Sequence, residues 1–385
     1  MLPSVIFLVI TTKRCWVEIS RGAAIHNIEA IRNYLGEGIG MLAIVKANCY
    51  GHDATLLPKV MEDAGINDFG VACADEGVVL RESGIKGSIL VLEYIDRDDW
   101  QRAYDNDMIF SISSVDHARR LNEWATENNL KIKVEVKVDT GMRRIGVDWD
   151  CDDDLIRNLF ELSNLHINGI FTHLCCADSF AEDDREFTLE QYRRYDSFIS
   201  RVKSSGYETG RRHVSASSGF LNYPDHRYDA FRPGFMLYGF NVGEIHDRYE
   251  TRPVMSFFAK VEYVKTIKDE EAVSYGRIYH ANGERQIATV SCGYADGYPR
   301  SLTGNAFVLV RGHKVPVVGR ICMDQMMIDV TGIDVEREDV VTLIGTDGNE
   351  TITMEQVSEW AGSIGHEVAS RIMPRATRHY IDERK

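Results

Sequence analysis

Blocks of lysine and arginine are missing from this chain, and so is any basic excess. Against 59 acidic residues stand 44 basic ones, a formal charge of −15. That excludes nucleic acid or an anionic membrane as a partner held by bulk electrostatics. Cysteine is sparse, with eight in 385 residues. None of Cys15, Cys49, Cys73, Cys151, Cys175, Cys176, Cys292 and Cys322 forms a Cys-x-x-Cys pair. The spacing of a structural zinc site is therefore absent, and the count is far below that of a disulfide scaffold. A reducing compartment and mostly buried thiols follow, which points to the cytoplasm. Low-complexity tracts and repeats of 20–50 residues are also absent. Long apolar runs are lacking too. The longest at an end, Met1–Ile10, has ten residues before Lys13 and Arg14, and a bilayer needs about 20. Residues 1–14 read either as an edge strand on the body or as the remnant of a membrane anchor.

What is present is a recurring alternation. Apolar, strand-like runs cover 42–46, 68–73, 88–93, 108–113, 131–139, 166–174, 212–217 and 230–239, with helix-like polar periodicity between them. Strand–helix alternation implies parallel strands, because each return needs a crossover. Eight such runs predict an α/β fold, a (β/α)8 TIM-type barrel, over residues 15–244. An open doubly wound sheet is the alternative, but no G-x-G-x-x-G follows the first strand. Past residue 245 the runs become short and β-rich, parted by Asn-Gly, Gly-Asn and Asp-Gly turns. This predicts an antiparallel β domain over 245–385. The acidic stretch 148–154 reads as a solvated loop that opens a helix.

Barrel chemistry sits where strands end. The first predicted strand ends at Lys46, within AIVKANCYGH. Burial lowers a lysine's pKa, and a neutral amine attacks carbonyls to form a Schiff base; a rim lysine with its head in water is the plainer reading. The fifth ends in Lys137-Val-Asp-Thr-Gly-Met-Arg-Arg144, readable also as a salt-bridged loop. The sixth ends at His173, which alone would be an ordinary packing histidine. The seventh and eighth give Ser215-Ala-Ser-Ser-Gly219 and Arg232-Pro-Gly234. Small residues after strands seven and eight suit a phosphate, since backbone N–H groups approach an anion without a Cβ in the way. A lysine facing a phosphate cradle suits pyridoxal 5'-phosphate (PLP), an aldehyde with a phosphate handle. In the β domain, GYADGYPR places Tyr294 between Gly293 and Ala295, either held rigidly or as a surface turn.

Taken in order, AIVKANCYGH (43–52), KVDTGMRRIGV (137–147), FTHL (171–174), RPGFMLYG (232–239), VSYGR (273–277), GYADGYPR (293–300) and GRICMDQ (319–325) resemble the alanine racemase family of PLP enzymes, from about Cys15 to Tyr380. The resemblance implies a barrel with a C-terminal β domain in a head-to-tail homodimer with shared active sites. It makes Lys46 the Schiff-base lysine and Tyr50 a phosphate contact. Lys137 corresponds to a lysine often carbamylated, positioning Arg144, which contacts cofactor and substrate. His173 and Arg232 form the hydrogen-bond line to the pyridine nitrogen. Ser217, Gly234 and Phe235 bind phosphate. Tyr294 becomes the second base, supplied by the partner, and Met323 lies near the substrate carboxylate. No metal is implied.

The implied activity is two-base racemisation of alanine, and of serine to an extent left open, supplying D-amino acid for peptidoglycan precursors. Two departures stand out. Arg143 replaces the family's usual glycine, and His366 replaces a tyrosine that contacts the phosphate region. Serine racemases of the vancomycin-resistance type depart at that second position and carry a membrane anchor, which the apolar start of this chain would suit. An amino-acid decarboxylase of the same fold is the remote alternative. A non-catalytic PLP-binding module would lack the β domain and Tyr294.

Overall fold

The computed structural model describes residues 14–35, 38–240 and 250–382. The apolar segment 1–13 and the expected boundary at 244/245 lie outside them. The chain divides into two compact units, one formed by Ala24–Cys49 with Asp53–Arg252, the other by residues up to Ala23, Tyr50–His52 and Pro253 onward.

In the first unit eight parallel strands close on themselves. They are β1 (Gly40–Ile44), β2 (Asp68–Val71), β3 (Ser88–Val91), β4 (Met108–Ile112), β5 (Ile132–Asp139), β6 (Leu165–Phe171), β7 (Arg211–Ala216) and β8 (Ala230–Arg232). Neighbours pair in sequence, β4 pairs with β5, and β8 returns to β1. Strands covered on both faces read as continuous apolar runs; every residue of β4 is buried. Connecting helices start at the caps the sequence offers. Ser114 accepts from the His117 N–H at 3.1 Å, and Asp152 from the Leu155 N–H at 2.7 Å. The stretch 148–154 thus opens a helix, with Asp153 and Asp154 in its first turn, where acidic charge is favourable. The eighth run stops at Arg232, short of its expected end at 239. Phe235–Tyr238 forms a 3₁₀ turn after Pro233-Gly234.

Register fixes which side chains share a level inside the barrel. Glu135 pairs with Gly169, Lys137 with Phe171, and Phe171 with His213. With a side-chain period of two, Glu135 and Lys137 point to the same face of β5.

The second unit is a β fold. Met255–Ile267 is its spine, pairing antiparallel with Val340–Asp347 near its start and with Arg285–Val290 at its end. Phe307–Val310, His313–Val318 and Met326–Asp329 complete a ring back to Arg285–Val290. One correction concerns the start of the barrel domain. Cys15–Ser20 lies in this second unit, antiparallel to Met255–Ala259 and parallel to Thr377–Ile381. Its partners lie more than 230 residues away, so no local pattern assigns it. That parallel pair also makes the sheet mixed instead of purely antiparallel.

Tyr50–His52 belongs to this unit as well. The Arg378 guanidinium donates to the Gly51 carbonyl from Nη2 at 2.6 Å and from Nε at 3.2 Å. Gly51 has φ +77°, and a Cβ there would collide with the Ala369 carbonyl. A left-handed L-residue costs about 1–2 kcal/mol before any collision. Gly51→Ala should therefore lower the unfolding free energy by about 2 kcal/mol or more, read as a lower denaturant midpoint.

Candidate active site

The barrel mouth is built from the ends of β1 and β5–β8. Lys46 follows β1 and is half-buried. The next four residues, Ala47, Asn48, Cys49 and Tyr50, all have φ between 51° and 55°. Four consecutive left-handed non-glycine residues are costly, and such strain persists only where the surroundings over-determine it. Here Glu76 does much of that. One carboxylate oxygen accepts from the Ala47 N–H at 2.6 Å and the other from the Ala72 N–H at 2.8 Å. Asn48 Oδ1 accepts from the Ala54 N–H at 2.7 Å. The strained turn follows directly on the lysine. Nothing in the residue pattern around Glu76 marks it, because its role exists only once the helix Ala74–Glu82, packed on β2 and β3, brings its carboxylate to the turn.

Arg232 closes β8 and is 3 % exposed. Its Nη2 donates to the Thr172 carbonyl at 2.7 Å, the Val214 carbonyl at 2.6 Å and His173 Nδ1 at 3.2 Å. Its Nη1 reaches His213 Nδ1 at 2.8 Å and the His213 carbonyl at 3.1 Å. None of these bonds uses Nε–H. Burial pulls the guanidinium down to about 10, still charged at neutral pH. Lys137, also buried, donates to the Val138 carbonyl at 3.1 Å. Burial first, then Arg232 and, less, Arg144 push its ammonium down to about 7, against the opposing pull of Asp139. His173 is held well below its usual value by burial, then by Arg232, Lys137, Arg144 and Lys46. Arg232, Lys137, Arg144 and Lys46 thus all bear on one neutral imidazole.

Ser217 and Gly234 meet at the ends of β7 and β8, where Ser217 Oγ accepts from the Gly234 N–H at 3.3 Å. Phe235 follows, buried. Arg144 is exposed on the loop after β5. Beside it Arg143 has φ +55°, the region that favours glycine, so the arginine at the family's glycine position carries a backbone cost. It is anchored by an ion pair to Asp148 and by its N–H to Asp139 Oδ1 at 3.1 Å.

Three expected groups lie in the β unit. Tyr50 sits edge-on to His366, ring centroids 5.6 Å apart. Met323 and Tyr294 are both exposed, but Met323 lines an open cleft of ≈ 520 Å³ together with Ser274, Tyr275, Cys322 and Gln325, and Tyr294 does not. Tyr275, from VSYGR, is 70 % exposed against 40 % for Tyr294. Its neighbours Ser274 and Gly276 have φ +67° and +73°, and Arg277 has +52°. Ser274 Oγ donates to the Arg320 carbonyl at 2.7 Å, and a Cβ on Gly276 would lie 3.3 Å from the Arg320 guanidinium carbon. VSYGR and GRICMDQ thus form one strained, cationic surface around a phenol. The resemblance points to Tyr294 in GYADGYPR, whereas the positive-φ backbone of VSYGR leaves no mark in residue letters.

The mouth residues fit a phosphorylated pyridine aldehyde. A half-buried lysine, a buried arginine with Nε–H uncommitted in these bonds, and a backbone N–H beside a serine suit an anion with an aromatic ring. Fold and site together define a barrel enzyme of the PLP-dependent class. The chain belongs to the alanine racemase family. The family's N-terminal domain matches residues 19–242 and its C-terminal domain residues 254–380. The chain is 35% identical over 369 residues to alanine racemase 2 of Caldanaerobacter subterraneus subsp. tengcongensis, covering 95% of this chain and 94% of that one. It is similar in structure to the alanine racemase of Clostridium difficile 630, with TM-score 0.91, 34% identity and 96% of each chain covered. It is similar also to the alanine racemase of Bartonella henselae, described with covalently bound pyridoxal phosphate, with TM-score 0.85, 26% identity and 96% and 100% covered. Among the described residues no helix is long and apolar enough to cross a membrane.

Strain at the lysine turn is measurable. Ala47→Gly keeps the N–H that Glu76 accepts and removes a left-handed Cβ. It should raise stability by about 1 kcal/mol, seen as a higher denaturant midpoint.

Proposed function

We propose that this protein interconverts L- and D-alanine, with PLP held at the barrel mouth, and supplies D-alanine for peptidoglycan precursors in the cytoplasm. One observation carries the reading: Arg232, buried at the barrel mouth with both terminal nitrogens engaged, shares that mouth with Lys46 at the start of a strained turn. When bound there, PLP draws off the electron pair that the departing Cα proton leaves behind.

The chain's own residues do the rest. Lys46 takes or returns the Cα proton on one face. Arg232, with both terminal nitrogens engaged, would have its Nε–H left to donate to the cofactor's ring nitrogen. Ser217, the Gly234 N–H and Phe235 would hold the phosphate. Arg144 orients the ring oxygen and the substrate. Met323 packs near the substrate carboxylate. For the opposite face we assign Tyr275 in place of Tyr294, because Tyr275 shares its cleft with Met323 and lies beside Arg320. A second copy of the chain supplies this phenol in a homodimer.

Lys137 is assigned as a carbamate. The neutral amine attacks CO2, forming an N–C bond and releasing one proton, and the resulting anion suits Arg232 and Arg144. Since its pKa lies near 7, the reactive amine predominates above that pH.

Two experiments test these assignments. With PLP and L-alanine, enantiomer separation should reveal D-alanine at equimolar equilibrium; no D-alanine would sink the function. Lys46→Ala should abolish turnover, Tyr275→Phe should cost about 100-fold or more and Tyr294→Phe about tenfold or less; the reverse order would restore Tyr294. For Lys137, protein equilibrated with 13C-bicarbonate should give one carbamate carbon resonance that grows from pH 6 to 8 and is absent in Lys137→Gln. A spectrum without it would refute the carbamate.

A further inference from the structure

Behind the cationic mouth, inside the barrel, lies a carboxylate that the proposed chemistry does not use. Glu135 is 3 % exposed and its Oε2 lies 2.6 Å from Nε2 of His213, itself fully buried. His213 Nδ1 lies 2.8 Å from Arg232 Nη1. Arginine has donors only, so His213 Nδ1 must be the acceptor. Nε2 then carries the proton and donates to Glu135. Only one neutral tautomer satisfies both ends.

The surroundings are shaped for this arrangement. Glu135, on β5, faces Gly169 on β6. A Cβ on Gly169 would lie 3.1 Å from the Glu135 carboxyl carbon and 2.5 Å from the Arg211 carbonyl. The His213 ring stacks on Phe171, centroids 5.0 Å apart and planes 4° apart. Burial dominates the imidazole and keeps it neutral despite the carboxylate. Burying a carboxylate and a guanidinium in a barrel interior is expensive, and apolar residues of the same volume would pack there at no such cost. Outer groups that fix the tautomer and direction of an inner ligand are the established use of such an arrangement in metal sites.

We propose that Glu135 is a positioning residue for Arg232, acting through His213, whose tautomer it fixes so that the guanidinium keeps one orientation toward the cofactor's ring. This rests on the reading that places Arg232 against the pyridine nitrogen.

The test separates the two. In protein labelled with 15N-histidine, without cofactor, the His213 resonances, identified by their loss in His213→Asn, should show Nε2 protonated and Nδ1 as acceptor. A protonated Nδ1 would overturn the proposal before any variant of Glu135 is made. With PLP added, Glu135→Leu should weaken cofactor binding about tenfold and lower kcat about tenfold with KM little changed, and Glu135→Gln, which still accepts from Nε2–H, should recover both to within about threefold. Unchanged PLP affinity and kcat in Glu135→Leu would refute the relay. If that variant does not fold, the wild-type tautomer and the Glu135→Gln values decide. Wild-type protein that binds PLP without a borohydride-stable link at Lys46 would overturn the pocket reading instead, a result distinct from the cofactor-free spectrum.

Discussion

The buried guanidinium of Arg232 is the constraint on which the rest turns. A charge taken out of water must recover its hydration from fixed partners. Arg232 recovers it from carbonyls at the ends of β6 and β7 and from two imidazoles. Those partners come from two neighbouring strands of a closed barrel, so the arginine's orientation is a property of the strand register. Burial first, and then the field of Arg232, depresses Lys137 and keeps His173 neutral.

Strain marks both units where chemistry is assigned. In the barrel it follows Lys46, in four left-handed residues pinned by Glu76 and Asn48. In the β unit it surrounds Tyr275, where Gly319 packs so closely on VSYGR that a Cβ would lie 2.8 Å from Ser274. Neither segment relaxes freely, so each reactive group is held in place before ligand arrives. This is preorganisation stored in the backbone, and stability elsewhere in each unit offsets it.

The departures from family pattern have local physical consequences. Arg143 takes a conformation suited to glycine and is tied down by Asp139 and Asp148. His366 meets the Tyr50 ring edge-on, so the pair remains aromatic where a second tyrosine is usual. Both lie beside groups assigned to the cofactor or substrate, and neither removes one.

By itself, the sequence pointed to the barrel, because eight apolar runs separated by amphipathic stretches suit a closed parallel sheet and no G-x-G-x-x-G follows the first of them to favour an open one. It also placed Lys46, Lys137, His173 and Arg232 at strand ends, since a strand's end is visible where apolar character stops. Motif order made the family legible. Tertiary structure alone decided the rest. Cys15–Ser20 finds partners hundreds of residues on, through backbone bonds that carry no residue code. Glu76, Glu135 and His213 acquire their roles from register across strands, which sets distance without leaving a local pattern. Tyr275 is distinguished from Tyr294 by exposure, backbone strain and a shared cleft, and these arise only when separate motifs are folded onto one surface.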